Sequence, residues 1–164
     1  MVLLRPQSSR SRLVEGTHAQ GSSALLGERQ RVSEEYWVRE PGGAEKRVPG
    51  TLRAAKAIGW YIPEYGRAQV SMNLTNLAVT PVHTAFEAVR HAAAARGVRV
   101  TGSELIGLLP LRSLLDAGRY FAGAADAGTN EDRLLEIAVR GLGLDDLGPF
   151  DPKARVIERL LGAT

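Results

Sequence analysis

The sequence predicts an α+β fold, an antiparallel sheet covered by helices, on three observations. Two adjacent runs near residues 51–75 alternate apolar and polar side chains, the period of paired strands. A helical apolar stripe and a short β-prone segment follow them. Three further amphipathic stretches then fill the chain to its end.

The first strand is expected over Thr51–Ile62, with Ile58, Trp60 and Ile62 alternating onto one apolar face. Pro63-Glu-Tyr-Gly66 reads as a turn in which the glycine supplies positive φ. Ala68, Val70, Met72 and Leu74 then face one way, and Gln69, Ser71, Asn73 and Thr75 the other. Thr80 is placed to cap a helix with Pro81 at its first position, and Val82, Phe86, Val89 and Ala93 form its apolar stripe. Gly97 ends that helix, and Val98–Val100 is the next strand.

The remaining helices are expected over Pro110–Phe121, with Leu111, Leu114 and Leu115 inward, and from Thr129 with Asp132 completing a capping box. The second of these buries Leu134, Leu135, Ala138 and Val139. The last helix opens at Asp151-Pro152, points Val156, Ile157, Leu160 and Leu161 inward, and stops at Gly162. The order is close to a ferredoxin-like arrangement with extra C-terminal helices. Its first strand is absent or replaced by the opening stretch MVLLRPQSSRSR.

The chain divides near residue 48. Residues 1–48 form an irregular, basic N-terminal segment, apart from a helix expected within SSALLGERQRVSEEYWVRE that would set Leu25, Leu26, Val32 and Tyr36 on one side. Glu40–Gly50 reads as a loop from its Pro and Gly content. The formal charge is +3, but its location matters more. Residues 1–56 hold ten Lys or Arg against six acidic residues, and residues 57–164 hold eleven against twelve. The basic excess belongs to the N-terminal third, which argues against nucleic acid. So does the absence of aromatics on the central strand face, where bases would stack. The chain contains no cysteine, which removes disulfides, thiolate nucleophiles and Cys-based zinc sites. No apolar run reaches the ~18 residues of a membrane span, and the start is too short for a secretory signal, so a cytoplasmic setting is expected.

Of the three histidines, His83 and His91 stand eight residues apart on one helix, about 12 Å at 1.5 Å rise per residue, too far for one metal. Solvated or packed roles are expected for them. The uncharged polar strand face carries more information. Gln69, Ser71 and Asn73 are short donors and acceptors, suited either to a pocket wall or to an ordinary solvated face. Ser103 and Glu104 follow a strand end, where ligands often sit in α/β sheets. Glu104 is there either a ligand-facing carboxylate or a helix-start acid.

Several blocks then point one way together. They are Ala57-Ile-Gly-Trp-Tyr-Ile62, Ala68-Gln-Val-Ser-Met-Asn-Leu-Thr75, Thr80-Pro81-Val-His83, Val98-Arg-Val-Thr-Gly-Ser-Glu-Leu-Ile-Gly-Leu-Leu-Pro110, Leu114-Leu-Asp-Ala-Gly118, and Leu142-Gly-Leu-Asp-Asp-Leu147 with Pro149-Phe-Asp-Pro-Lys153. In this order and spacing they resemble the C-terminal subdomain of glutamate formimidoyltransferase, so residues 49–164 are identified with that subdomain. The resemblance implies a transferase of histidine degradation, moving the formimino group of N-formimino-L-glutamate to N5 of tetrahydrofolate. It further implies two related α/β subdomains with folate bound between them, and a catalytic histidine in the N-terminal one. No such subdomain is legible in residues 1–48, and neither His83 nor His91 matches the catalytic position. No catalytic residue is therefore carried over.

The expectation is a part-enzyme that binds folate and formiminoglutamate through Gln69, Ser71, Asn73, Ser103 and Glu104. It would act with a separate N-terminal subdomain or with a self-associating partner. The alternative is a non-catalytic folate-binding or dimerisation module.

Overall fold

The computed structural model describes residues 2–6, 32, 34–62, 67–95, 97–123 and 130–162. A four-stranded antiparallel sheet is built from β1 (Val2–Pro6), β4 (Ala55–Ile62), β5 (Arg67–Leu74) and β6 (Val98–Ser103), in the order β4-β5-β1-β6. A separate hairpin pairs β2 (Glu35–Arg39) with β3 (Glu45–Pro49). The helices are α1 (Val82–Ala94), α2 (Leu111–Ala122), α3 (Glu131–Leu142) and two single turns, α4 (Pro152–Arg155) and α5 (Ile157–Leu160).

The α+β class holds, and the question left open about the first strand is answered. The opening stretch replaces it: β1 pairs with β5 on one side and β6 on the other. It is a central strand, with a register shift between Leu3 and Leu4. The segment read as irregular thus contributes three strands, and Glu40–Gly50 forms the turn and second strand of a hairpin instead of a loop. Of the helix expected around residues 22–40, Leu25 and Leu26 lie outside the described residues, Val32 is buried, and Tyr36 belongs to β2. The turn at residues 63–66 also lies outside them.

The β4–β5 pairing sets Ile58 opposite Ser71 and Lys56 opposite Asn73. Residues directly opposite share a sheet face. Ile58 therefore stands with the polar set, away from the core, and is 66% exposed. The face to which Ile58 alternates is thus the outward one. Ala55, Ala57 and Gly59 hold the core-facing positions instead, opposite Leu74, Met72 and Val70. Small residues there let the helices approach the sheet closely. On β5 the expected inward set is correct: Ala68 and Val70 are buried, and Met72 and Leu74 pack against the core.

Helix α1 buries Ala85, Phe86, Val89 and Ala93; of the expected stripe Val82 is only half-buried, packed against the core, and Ala85 is added. Thr80 does not cap it. Its hydroxyl donates to the Arg53 carbonyl at 2.5 Å, tying the helix entry to the turn before β4. Helix α2 keeps its expected span and buries Leu114, Ala117 and Gly118. Gly118 is needed where α2 crosses α3, because a Cβ there would lie 2.3 Å from the Leu134 carbonyl oxygen.

The α3 cap is Asn130, whose side chain accepts from the Arg133 N–H at 2.9 Å, so the expected Thr129 box is displaced by one residue. Asp151 caps α4 as expected, accepting from the Lys153 N–H at 2.9 Å. The single last helix is corrected to two turns broken at Val156, which adopts an extended backbone. Val156 is fully buried and bridges to Leu109. The Leu109 N–H donates to the Arg155 carbonyl at 3.0 Å, and the Ile157 N–H to the Leu109 carbonyl at 3.1 Å. That break turns Leu160 and Leu161 outward, against the expectation that they point in.

Candidate functional site

The two chain segments singled out for their polar residues meet at one end of the sheet. There β5 finishes, α1 begins and β6 gives way to the 104–109 connection. A cavity of about 280 Å³ opens among them. Ser71 and Asn73 line it from β5, and Ser103 and Glu104 from the end of β6. Its apolar walls include Met72, Leu77, Phe86 and Leu109. Four of the five expected site residues thus share a cavity. Gln69 does not line it; it is 5% exposed and lies across from Leu3 of β1 and Trp60 of β4.

The four differ in what they offer. Ser103 is buried, its hydroxyl donating to the Leu142 carbonyl at 2.6 Å and its N–H to the Gly143 carbonyl at 2.8 Å. These bonds fix the strand end against the C-terminus of α3. The adjoining contact is closer still. A Cβ on Gly102 would lie 2.8 Å from the Gly143 carbonyl oxygen, and one on Gly143 2.8 Å from Gly102 Cα. Gly143 also carries the left-handed φ of 61° that closes α3. The backbone is therefore anchored immediately before Glu104, while Leu105 packs against the core immediately after it. Glu104 and Ser71 are half-buried and Asn73 is exposed, so all three stand where a ligand from solvent meets them.

Among the described residues lining the cavity, Glu104 is the sole ionisable side chain. The apolar wall from Val82, Phe86, Leu105 and Leu109 was missed as part of a site. Its only sequence signal, helical or alternating hydrophobicity, is the same signal that marks a core.

The histidines lie elsewhere. His83 stacks on Tyr120 with ring centroids 4.7 Å apart, and its Nδ1 is buried with no hydrogen-bond partner among the described residues. Burial pulls its pKa below the usual value, opposed by the nearby carboxylates of Asp116 and Glu87. Glu87, nearly buried, is gripped by Arg90, whose Nε lies 2.8 and 3.0 Å from its two oxygens. His91 Nε2 stands 3.7 Å from the same carboxylate. A packed role fits His83, whereas His91, with its side chain 71% exposed, is solvated. No group of three or more metal-binding side chains occurs among the described residues. No helix among them is long and apolar enough to cross a membrane.

Comparison with known proteins places these features. The family model for the formiminotransferase domain matches residues 25–162. The chain is 43% identical to a formimidoyltransferase-cyclodeaminase of Mus musculus over 125 residues, which is 76% of this chain and 23% of that protein. It is 40% identical over 125 residues to the protein of that name in Dictyostelium discoideum, again 76% of this chain and 23% of the relative. With a glutamate formimidoyltransferase of Thermoplasma acidophilum it shares 36% identity over 91 residues, 54% of this chain and 30% of that protein. The chain thus spans about a quarter of the length of the relatives it matches. The matched region holds the whole of the cavity, and the chain belongs to the formiminotransferase family.

Proposed function

We propose that this chain forms one wall of the substrate site of a glutamate formimidoyltransferase. The reaction moves the formimino carbon from the nitrogen of N-formimino-L-glutamate to N5 of tetrahydrofolate. One C–N bond forms, another breaks, and glutamate leaves with the proton that its nitrogen regains. The carrying observation is the cavity itself, which gathers Ser71, Asn73, Ser103 and Glu104 from two separated family blocks to one end of the sheet. Gln69 keeps a supporting place in this reading as a buried member of the same strand.

Such a transfer needs a group that carries a proton near neutral pH, for which histidine is suited. None of the described lining residues is a histidine, so this reading assigns the proton carrier to a partner, an N-terminal subdomain on a separate chain or segment. Residues 49–164 are the subdomain in this assignment, with Val2–Pro6 joining its sheet from outside. The strand order β4-β5-β1-β6, with α1 crossing between β5 and β6, supports a ferredoxin-like design for it. A cytoplasmic place in histidine degradation completes the reading.

Titration of the purified chain with a tetrahydrofolate analogue by calorimetry, followed by a transfer assay with and without a separately expressed N-terminal subdomain, tests it. Transfer is expected only with the second part present. Turnover by this chain alone would remove the need for a partner. Absence of analogue binding even with the other half supplied would favour a non-catalytic module.

A further inference from the structure

We propose that the cavity is an open strand position, filled by an extended polypeptide that lies in line with β1 and runs antiparallel to β5. The segment assigned to it is the C-terminal end of the partner subdomain that the transferase reading above calls for, and the inference rests on that reading.

Register puts the cavity on the line of β1. Val2 stands opposite Val70 of β5 on one side and Ser103 of β6 on the other. The cavity begins at that level. Ser71, Met72, Asn73 and Leu74 line it in succession from β5, and Ser103, Glu104, Leu105 and Ile106 in succession from the end of β6. β5 is paired with β4 along its whole length, from Arg67 to Leu74. On its other side, among the described residues, pairing stops at Val70. Consecutive lining residues from both strand ends mark a gap between two strands rather than a dent in one face of the sheet.

The main chain of β5 is aimed into this gap. The Thr75 N–H donates to the Ala54 carbonyl at 2.9 Å, so residue 75 directs its main-chain groups toward β4. Successive strand residues direct theirs to opposite sides, so Met72 and Leu74 present their N–H and C=O groups to the gap. Main-chain donors and acceptors shielded from water need partners, and an unpaired strand edge takes them from another strand. The residues of β5 beyond Val70 offer about 14 Å of such edge, at ~3.4 Å per residue.

The same register dictates the occupant. Residues directly opposite share a sheet face. Side chains level with Met72 and Leu74, which pack against the core, therefore enter the core side, and those level with Ser71 and Asn73 join the polar face. The segment needs apolar residues at alternate positions, and it leaves Ser71 and Asn73 on the face assigned to substrate. Ile106 and Leu108 line the same cavity yet are 70% and 48% exposed, apolar surface that a docked segment covers. Direction selects which part of the partner fits. A strand antiparallel to β5 on this line has its C-terminal end toward Val2, where β1 already holds the position between β5 and β6. A chain end can stop there, whereas an internal loop would have to leave the sheet between two strands. Main-chain pairing supplies the affinity and the alternate side chains the specificity, as in other strand additions.

Two measurements on the full chain test this. In the first, three residues are added before Met1 to carry β1 into the gap, as Val-Thr-Val, Thr-Val-Thr or Pro-Pro-Pro. Val-Thr-Val, whose valines fall level with Met72 and Leu74, is expected to raise the urea midpoint by about 0.5 M. Thr-Val-Thr should raise it less, and Pro-Pro-Pro, which cannot donate to a ladder, not at all. In the second, a separately expressed N-terminal subdomain is titrated into the chain by calorimetry, intact and with its C-terminal end removed. Removal is expected to weaken association about tenfold. A midpoint no higher with Val-Thr-Val than with Pro-Pro-Pro, or association indifferent to the shortened end, would overturn the proposal. Self-association of the chain that the Val-Thr-Val extension abolishes would give the gap to a second copy and overturn it too. Formimino transfer at full rate with the shortened partner would sink this inference and leave the transferase reading standing. Association that depends on the partner's end, with no transfer by the intact pair, would do the reverse.

Discussion

Gly102 and Gly143 meet where β6 ends, and the space between them is too small for a methyl group on either. Alanine at residue 102 would set its Cβ 2.3 Å from that of Asp146 and 2.8 Å from the Gly143 carbonyl oxygen. Asp146 is exposed and can shift, but the backbone oxygen cannot without moving α3. Gly102→Ala is expected to cost about 1–3 kcal/mol, the usual range for overpacking, measured by urea denaturation. The same displacement should weaken binding at the cavity, because Ser103 and Glu104 follow directly.

At His83 the sign of the pH dependence follows from burial. Desolvation holds its folded-state pKa below the usual value, so the unfolded chain takes up this proton first as pH falls. Between the lowered value and about 6.5 the unfolded state binds more protons, and stability rises with pH across that window. The contribution is complete above about pH 6.5 and is lost below it. His83→Phe, which keeps a ring against Tyr120, should flatten the urea midpoint between pH 5 and 7. An unchanged slope would show that another group governs it.

Among the elements, the break at Val156 determines how the C-terminal segment docks. An unbroken helix over residues 152–161 would put Val156, Ile157, Leu160 and Leu161 on one stripe, as the periodicity suggests. The extended backbone at Val156 instead lets the Leu109 strand segment hydrogen-bond on both sides of it, at Arg155 and Ile157. Glu158 then reaches the start of α2, accepting from the Leu111 N–H at 2.7 Å. Arg159 pairs with Glu131 and, at 3.6 Å, with Asp132 in the first turn of α3. The segment thus ties two helix starts together around one buried side chain. Val156→Ala should cost about 2 kcal/mol from lost burial and the cavity left behind. Leu161→Ser, at a residue 76% exposed, should be nearly neutral. A thermal or chemical denaturation series that reversed this order would contradict the docking described.

Across the whole molecule, the sheet depends on a strand from the extreme N-terminal region. Val2–Pro6 lies between β5 and β6, outside the residues matched by the family model. Removing residues 1–6 would leave facing edges of β5 and β6 unpaired, and unpaired edges recruit other chains. Such a truncation should lose its cooperative unfolding transition or elute as higher oligomers in size-exclusion chromatography. A monomer with an unchanged transition would show that the strand is dispensable.

The sequence alone determined the β4–β5 hairpin, most of the stripes of α1 to α3, and the family. It also singled out Ser71, Asn73, Ser103 and Glu104, which line one cavity, because alternation and strand ends are local properties that a short window records. Tertiary structure decided what no window contains. Ile58 faces outward because register with β5 fixes its side, although its own strand alternates plausibly the other way. Gln69 stays outside the cavity although it shares the periodicity of Ser71 and Asn73, because only the end of β5 approaches the 104–109 connection. Val156 breaks its helix because Leu109, 47 residues earlier, offers hydrogen bonds that its neighbours do not. Local hydrophobic period gives an element and its two faces; which face is buried, and which polar groups meet, depends on contacts between segments distant along the chain.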